Sequence, residues 1–219
     1  MSPSGTTVLV VRNEVDPDAE YHEEALLAQF DEPVVVRYPD GDSPSLDGVD
    51  AVVLTGSTAG VYEADDHPWM DDEMALVDEL VDREIPTLAV CFGHQLVNAA
   101  LGGTVEHVGT TATLVAVEFA DDPLFDGVDP VVPAVHGDAV TEAGDGLDVA
   151  VSAEHCEVFG TRHRDAPLWT VQFHPEFTAA HRDRLVADFD WDDGDHQFGN
   201  VDATCVYENF LTLAAERSD

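Results

Sequence analysis

The chain contains no lysine, and its only permanently cationic side chains are 8 arginines set against 46 aspartates and glutamates, a net charge of −38 over 219 residues. A surface of that sign repels DNA, RNA and anionic lipid, so neither nucleic acid nor membrane is expected as a partner. At about 1 M salt the Debye length falls to roughly 3 Å and most of the self-repulsion is screened, which points to a salt-rich cytoplasm, as in a halophile. Cysteine is also scarce. Cys91, Cys156 and Cys205 are an odd number, unlike a secreted disulfide framework and easily read as reduced thiols. Long apolar runs are missing too: the first residues, MSPSGTTVLVV, have no basic leader followed by an apolar core, and nothing downstream approaches a membrane span. The expectation is a soluble, cytoplasmic protein forming one domain over residues 1–219, with no room for a second enzyme.

Short apolar runs alternate with helical stretches. Strands are expected over 7–11, 34–36, 51–54, 87–90, 104–108, 111–119, 147–153, 158–162 and 168–173, and helices over 21–30, 71–84, 95–101, from a cap at Thr178 to 189, and over 204–217. The pattern predicts an α/β fold: a single doubly wound, flavodoxin-like, mostly parallel sheet with helices on both faces.

The stretch 85–103, IPTLAVCFGHQLVNAALGG, carries the strongest chemical signal. A buried strand runs almost directly into a helix, and Cys91 sits between them with Ala89 and Gly93 as small neighbours. This is the arrangement of a nucleophile elbow, in which a sharp strand-to-helix turn lifts the reactive group above the sheet at a helix N-terminus. Such a terminus favours the thiolate. The bland alternative is a small buried hydrophobe. Farther on, a strand ends in His174-Pro175-Glu176, and residues two apart in extended chain project to the same side.

The segments Ala89-Val90-Cys91-Phe92-Gly93-His94-Gln95 and Val171-Gln172-Phe173-His174-Pro175-Glu176 together resemble the paired signatures of class I glutamine amidotransferases, and the likeness is strongest to stand-alone members related to the glutaminase part of GMP synthase. The resemblance implies Cys91 as nucleophile, His174 as general base and acid, and Glu176 as the group orienting the imidazole. It implies an oxyanion hole of backbone N–H groups from Phe92 and from Gly56 or Ser57, where the family often has Gly-Gly-Pro and this chain has Gly56-Ser57-Thr58. A serine resists backbone angles that glycine tolerates. Gln95 matches the family position that holds substrate glutamine. Val135-His136-Gly137-Asp138 resembles a stretch near the family's active-site mouth, although His136 taken alone is expected at the surface. His94, in the first helical turn, is expected to serve packing or binding rather than proton transfer.

The implied reaction hydrolyses the glutamine side-chain amide through a γ-glutamyl thioester and delivers ammonia to a separate synthase. Two other readings stay open: a cysteine hydrolase of γ-glutamyl peptides or other amides, and a non-catalytic regulatory module on the same scaffold. No cofactor or metal is expected. The chain has no Gly-x-x-x-x-Gly-Lys loop, and His155-Cys156 has no second ligand pair at zinc spacing.

Overall fold

Alternation within the first strands decides the layering. In the computed structural model, which describes residues 6–218, the chain runs β1 (Val8–Arg12), α1 (Tyr21–Leu27), β2 (Val34–Arg37), β3 (Ala51–Leu54), α2 (Trp69–Asp82), β4 (Thr87–Val90) and α3 (Phe92–Ala100). It continues through β5 (Thr104–Phe119), β6 (Val131–Glu142), β7 (Leu147–Ala153), β8 (Cys156–His163), β9 (Leu168–Val171), α4 (Arg182–Phe189) and α5 (Cys205–Ser218). Val8, Val10, Ala51, Val53, Leu88 and Val90 pack with Leu26 of α1 and with Val206 and Phe210 of α5. Their neighbours in sequence, Leu9, Val11, Val52, Leu54 and Ala89, face the other way onto Leu76 and Leu80 of α2 and Leu96 and Val97 of α3. Strands buried on both faces read as continuous apolar runs, and helices cover each side.

The sheet order is β2-β1-β3-β4-β9-β8-β6-β5-β7, with a further β7–β8 pairing. The first five strands in that order are parallel, with Val10 opposite both Val35 and Val53 and with Val90 opposite Val171. The expectation of a mostly parallel sheet is corrected for the rest: β5, β6, β7 and β8 are antiparallel and close on one another through β5–β6, β6–β8, β8–β7 and β7–β5. The reason is connection length. Parallel neighbours need a crossover of about a dozen or more residues, usually a helix. Only residues 120–130, with no α-helix among them, separate β5 from its neighbour β6, and only 154–155 separate β7 from β8.

Several boundaries also differ from expectation. The two strands expected over 104–119 are one strand, β5, with a register shift between His107 and Thr111. Gly109 lies at φ +91 in that interval, a backbone angle that suits a bulge. Helix α2 starts two residues early, just after Pro68, and ends before Glu84, which takes the left-handed conformation at φ 51. Strand β9 stops at Val171, not at Phe173. Within residues 191–200, Trp191 and Phe198 stack at 5.1 Å and share a small core with Phe177 and Leu185. Among the described residues, no helix is long and apolar enough to cross a membrane.

Candidate active site

Cys91 sits at the junction of β4 and α3 with φ 52 and ψ −105, a conformation costly for any residue with a Cβ. Three backbone bonds hold it there: its own N–H donates to Val171 O at 2.8 Å, Gly93 N–H donates to Thr55 O at 3.1 Å, and Gln95 N–H donates to Cys91 O at 3.1 Å. Gly93 is required by crowding, because a Cβ on it would lie 2.8 Å from the Leu54 carbonyl oxygen. The sharp turn expected from the sequence is therefore built from β3, β4 and β9 together. The thiol faces Val135 O at 3.7 Å, and Gln172 Nε2 donates to it at 3.6 Å.

His174 and Glu176 lie beyond the end of β9. They meet through a turn, closed by Phe177 N–H donating to His174 O at 3.2 Å, and not through the alternation of an extended strand as expected. The two side chains are 2.7 Å apart, His174 Nδ1 to Glu176 Oε1. Tyr207 of α5 donates its hydroxyl to Glu176 Oε2 at 2.8 Å, so both carboxylate oxygens are engaged. Phe177 stacks on the imidazole, with centroids 4.6 Å apart. Burial opposes a charge on His174, but the adjacent Cys91 thiolate and Glu176 carboxylate outweigh it and raise its pKa well above 6.5. Burial likewise opposes the Glu176 charge, and the imidazolium overcomes it, so this carboxyl titrates below its ordinary range. The pair is stable as imidazolium and carboxylate.

The loop after β3 brings Gly56 against the thiol. A methyl group on Gly56 would stand 3.2 Å from His22 Cε1, 3.4 Å from His174 Cε1 and 3.5 Å from Cys91 Cβ. Ser57 is not among the described residues with positive φ, so the serine fits its backbone without strain, and its Oγ accepts from Ala59 N–H at 3.1 Å. Phe92 is the first residue of α3, where backbone N–H groups have no partner within the helix. Gln95 lines the same cavity, but its amide N–H groups already serve Asp138 O and Gln172 Oε1, both at 3.1 Å. Its carbonyl oxygen is the end left to a ligand.

His94 is fully enclosed on the far side of the elbow, with Nδ1 2.6 Å from Thr170 Oγ1. Burial drives its pKa down to about 3, and it is neutral. His136, expected at the surface, is buried and lines the cavity. It stacks on His155 with centroids 5.5 Å apart, and burial together with the neighbouring His155 and His174 lowers its pKa to about 4. The cavity measures about 390 Å³, and at its mouth Asp138 accepts from Tyr62 at 3.1 Å and pairs with His107 at 2.9 Å.

Sequence reasoning missed the buried carboxylates behind the site. Glu14, Glu23 and Glu73 are fully enclosed, like Glu176. Glu23 accepts from Arg12, the Asn13 N–H, the Glu14 N–H and the Thr55 hydroxyl. Glu14 accepts from the Thr58 N–H and hydroxyl and sits 2.8 Å from His22. The only available signal was position: Asn13 and Glu14 follow a buried strand at the edge where α/β folds bind ligands. Tyr207 lies in an amphipathic closing helix and left no signal of its own.

The profile of the class I glutamine amidotransferase family matches residues 18–191. The chain belongs to that family. A GMP synthase [glutamine-hydrolyzing] of Mycobacterium leprae is 32% identical over 171 residues, which cover 76% of this chain and 30% of the relative. One from Lactobacillus delbrueckii subsp. bulgaricus is 36% identical over 132 residues, 57% of this chain and 24% of the relative. The chain thus spans about a quarter to a third of the length of these curated relatives. The fold is shared with the crystal structure of a glutamine amidotransferase from Thermotoga maritima, at a TM-score of 0.69 and 21% identity over 98% of this chain and 94% of that one.

Proposed function

We propose that this amidotransferase chain is a glutaminase working through Cys91, His174 and Glu176, and that residues 1–219 act as one such domain. The observation that carries the reading is the strained Cys91 elbow set beside a buried histidine whose Nδ1 is 2.7 Å from a carboxylate. The Cys91 thiolate attacks the side-chain amide carbon of glutamine. The resulting oxyanion is stabilised by the Phe92 N–H and by an N–H of Gly56 or Ser57. The His174 imidazolium gives its proton to the departing nitrogen, the C–N bond breaks and ammonia leaves, with a γ-glutamyl thioester on Cys91. Water then gives a proton to His174 as its oxygen attacks the thioester, which releases glutamate and restores the thiolate–imidazolium pair. Glu176, held by Tyr207, keeps the imidazole oriented and supports its charge. Gln95 offers its carbonyl oxygen to the substrate.

The matched relatives are GMP synthases several times longer than the segment they share with this chain, so the ammonia acceptor here is proposed to be a separate synthase chain. The decisive measurement is ammonia release from glutamine, asparagine and γ-glutamyl peptides in molar potassium chloride, with trapping of the thioester on Cys91. Preferential turnover of glutamine is expected, and it should rise when the acceptor is added. Faster turnover of γ-glutamyl peptides, unchanged by any partner, would replace this reading with a free-standing γ-glutamyl hydrolase.

A further inference from the structure

A second histidine–carboxylate pair lies beside the proposed triad and takes no part in the chemistry above. His22 Nε2 is 2.8 Å from Glu14 Oε2. Glu14 also accepts from the Thr58 N–H and hydroxyl, so its carboxylate is fixed beside the His22 ring. The contact engages Nε2 and leaves Nδ1 as the ring nitrogen turned away from Glu14. That Nδ1 is buried and has no hydrogen-bond partner among the described residues. The His22 ring stands edge-on to His174, with centroids 5.9 Å apart. One donor atom each from His22, His174 and Glu176 lie within 4.8 Å of one another, and all three residues are buried.

Two imidazoles and one carboxylate form a donor set that zinc takes with an open fourth position. Metal-binding histidines almost always donate the other ring N–H to a carboxylate or carbonyl, and metal-binding carboxylates are hydrogen-bonded in turn. Both outer partners are in place, Glu14 behind His22 and Tyr207 behind Glu176. We propose that His22, His174 and Glu176 form a binding site for a zinc-class divalent cation, and that occupancy switches the enzyme off; this inhibitory half rests on the triad proposed above. A tetrahedral ion with bonds of about 2.0–2.1 Å sets its donors roughly 3.4 Å apart, so the present spacing must contract. His174 Nδ1 and Glu176 Oε1 lie 2.7 Å apart and must open slightly to admit the ion, and the closing movement falls to His22. Both histidines line the cavity, which gives the ion a path in, and the net charge of −38 concentrates cations around it. Coordination takes Glu176 away from His174 and occupies the imidazole that must carry the proton. His22 is remote in sequence from the other two ligands, so no metal-ligand spacing was visible in the chain.

The test uses cobalt(II) chloride with the full-length Cys91→Ser variant, in which the neighbouring thiol is removed. An intense visible band of four-coordinate cobalt is expected, saturating at one ion per chain, displaced by zinc chloride and free of sulfur-to-cobalt charge transfer. His22→Phe and His22→Gln, made separately in that background and checked for folding by circular dichroism, should each weaken binding at least about 10-fold. In chains with Cys91 intact, zinc should inhibit ammonia release and a chelator should restore it. The half-inhibiting concentration should rise at least about 10-fold in the His22 variants, each rate being compared with the same variant's metal-free rate. Absence of the cobalt band, or equal affinity with and without His22, overturns the site. Zinc inhibition that persists unchanged in both His22 variants would assign the metal to Cys91 instead. If glutamine is not hydrolysed at all, the proposed function fails, while the cobalt titration still decides the site.

Discussion

The parallel half of the sheet and the closed antiparallel unit make different contributions to one cavity. In the parallel half, β3, β4 and β9 end side by side, and the segments leaving them carry Gly56, Cys91 and His174. Helices α2, α3 and α5 brace those ends, and α5 adds Tyr207 behind Glu176. The antiparallel unit enters the chain between α3 and β9 and supplies a wall, with the Val135 carbonyl against the thiol and with His136 and Asp138 facing the cavity. Reacting groups placed at the ends of parallel strands inherit the rigidity of a core buried on both faces. A wall made of hairpins is free to vary in shape without moving those groups.

If that division holds, the largest effect belongs to the parallel half and to one of its two histidines. His174→Ala should lower kcat for ammonia release by about 10³-fold or more, roughly 4 kcal/mol in barrier. His94→Ala, which empties a neutral packed site, should stay within about tenfold in kcat while lowering stability by a few kcal/mol, at the upper end for losing a buried polar side chain. Loss of thioester formation in His94→Ala with retention in His174→Ala would reverse the assignment.

A stability effect of a few kcal/mol is expected from Glu73 of α2, which burial pushes up to about 8 despite a hydrogen bond from Asn13. A carboxyl whose folded pKa is raised stabilises the fold fully below its unfolded value near 4.5, and that contribution is lost as pH climbs toward 8, at roughly 1.4 kcal/mol per pKa unit. Glu73→Gln removes this slope. Urea midpoints of wild type and variant, compared from pH 5 to 9 at fixed salt, should diverge in slope. Parallel profiles would show that Glu73 is not held protonated.

Smaller changes sharpen the picture of how the triad is supported. Glu176→Gln should cost about 10–100-fold in kcat, and Tyr207→Phe about 3–10-fold, roughly 0.6–1.4 kcal/mol and below the full worth of one hydrogen bond to a charged group. A Tyr207→Phe loss as large as that of Glu176→Gln would mean that the hydroxyl, not the carboxylate, sets the imidazole. The smallest effect is expected in the antiparallel wall. His136→Ala should raise KM a few-fold, leave kcat within about twofold, and leave the pH profile from 5 to 9 unchanged, because a histidine with a pKa of about 4 is neutral throughout that range. A fall of about 100-fold in kcat would erase the distinction between the two halves.

The sequence by itself determined the elbow, the layered α/β character of the parallel half and the identity of the histidine paired with Glu176. Those features are local: apolar runs of strand length, a helical face in α3, and small residues flanking Cys91 all act within a few positions. Tertiary structure alone decided the antiparallel closure, since the composition of a strand does not state its partner, and the brevity of residues 120–130 and 154–155 acquires meaning only once the strands are placed. It also decided that His136 is enclosed, that Gln95 spends its N–H groups on Asp138 and Gln172, and that Tyr207 and the Glu14–His22 pair stand behind the triad. In a chain with 46 acidic residues, no local pattern separates the four carboxylates buried among the described residues from the solvated ones. Burial and hydrogen-bond partners come from residues distant in sequence, and those contacts exist only once the strands have assembled.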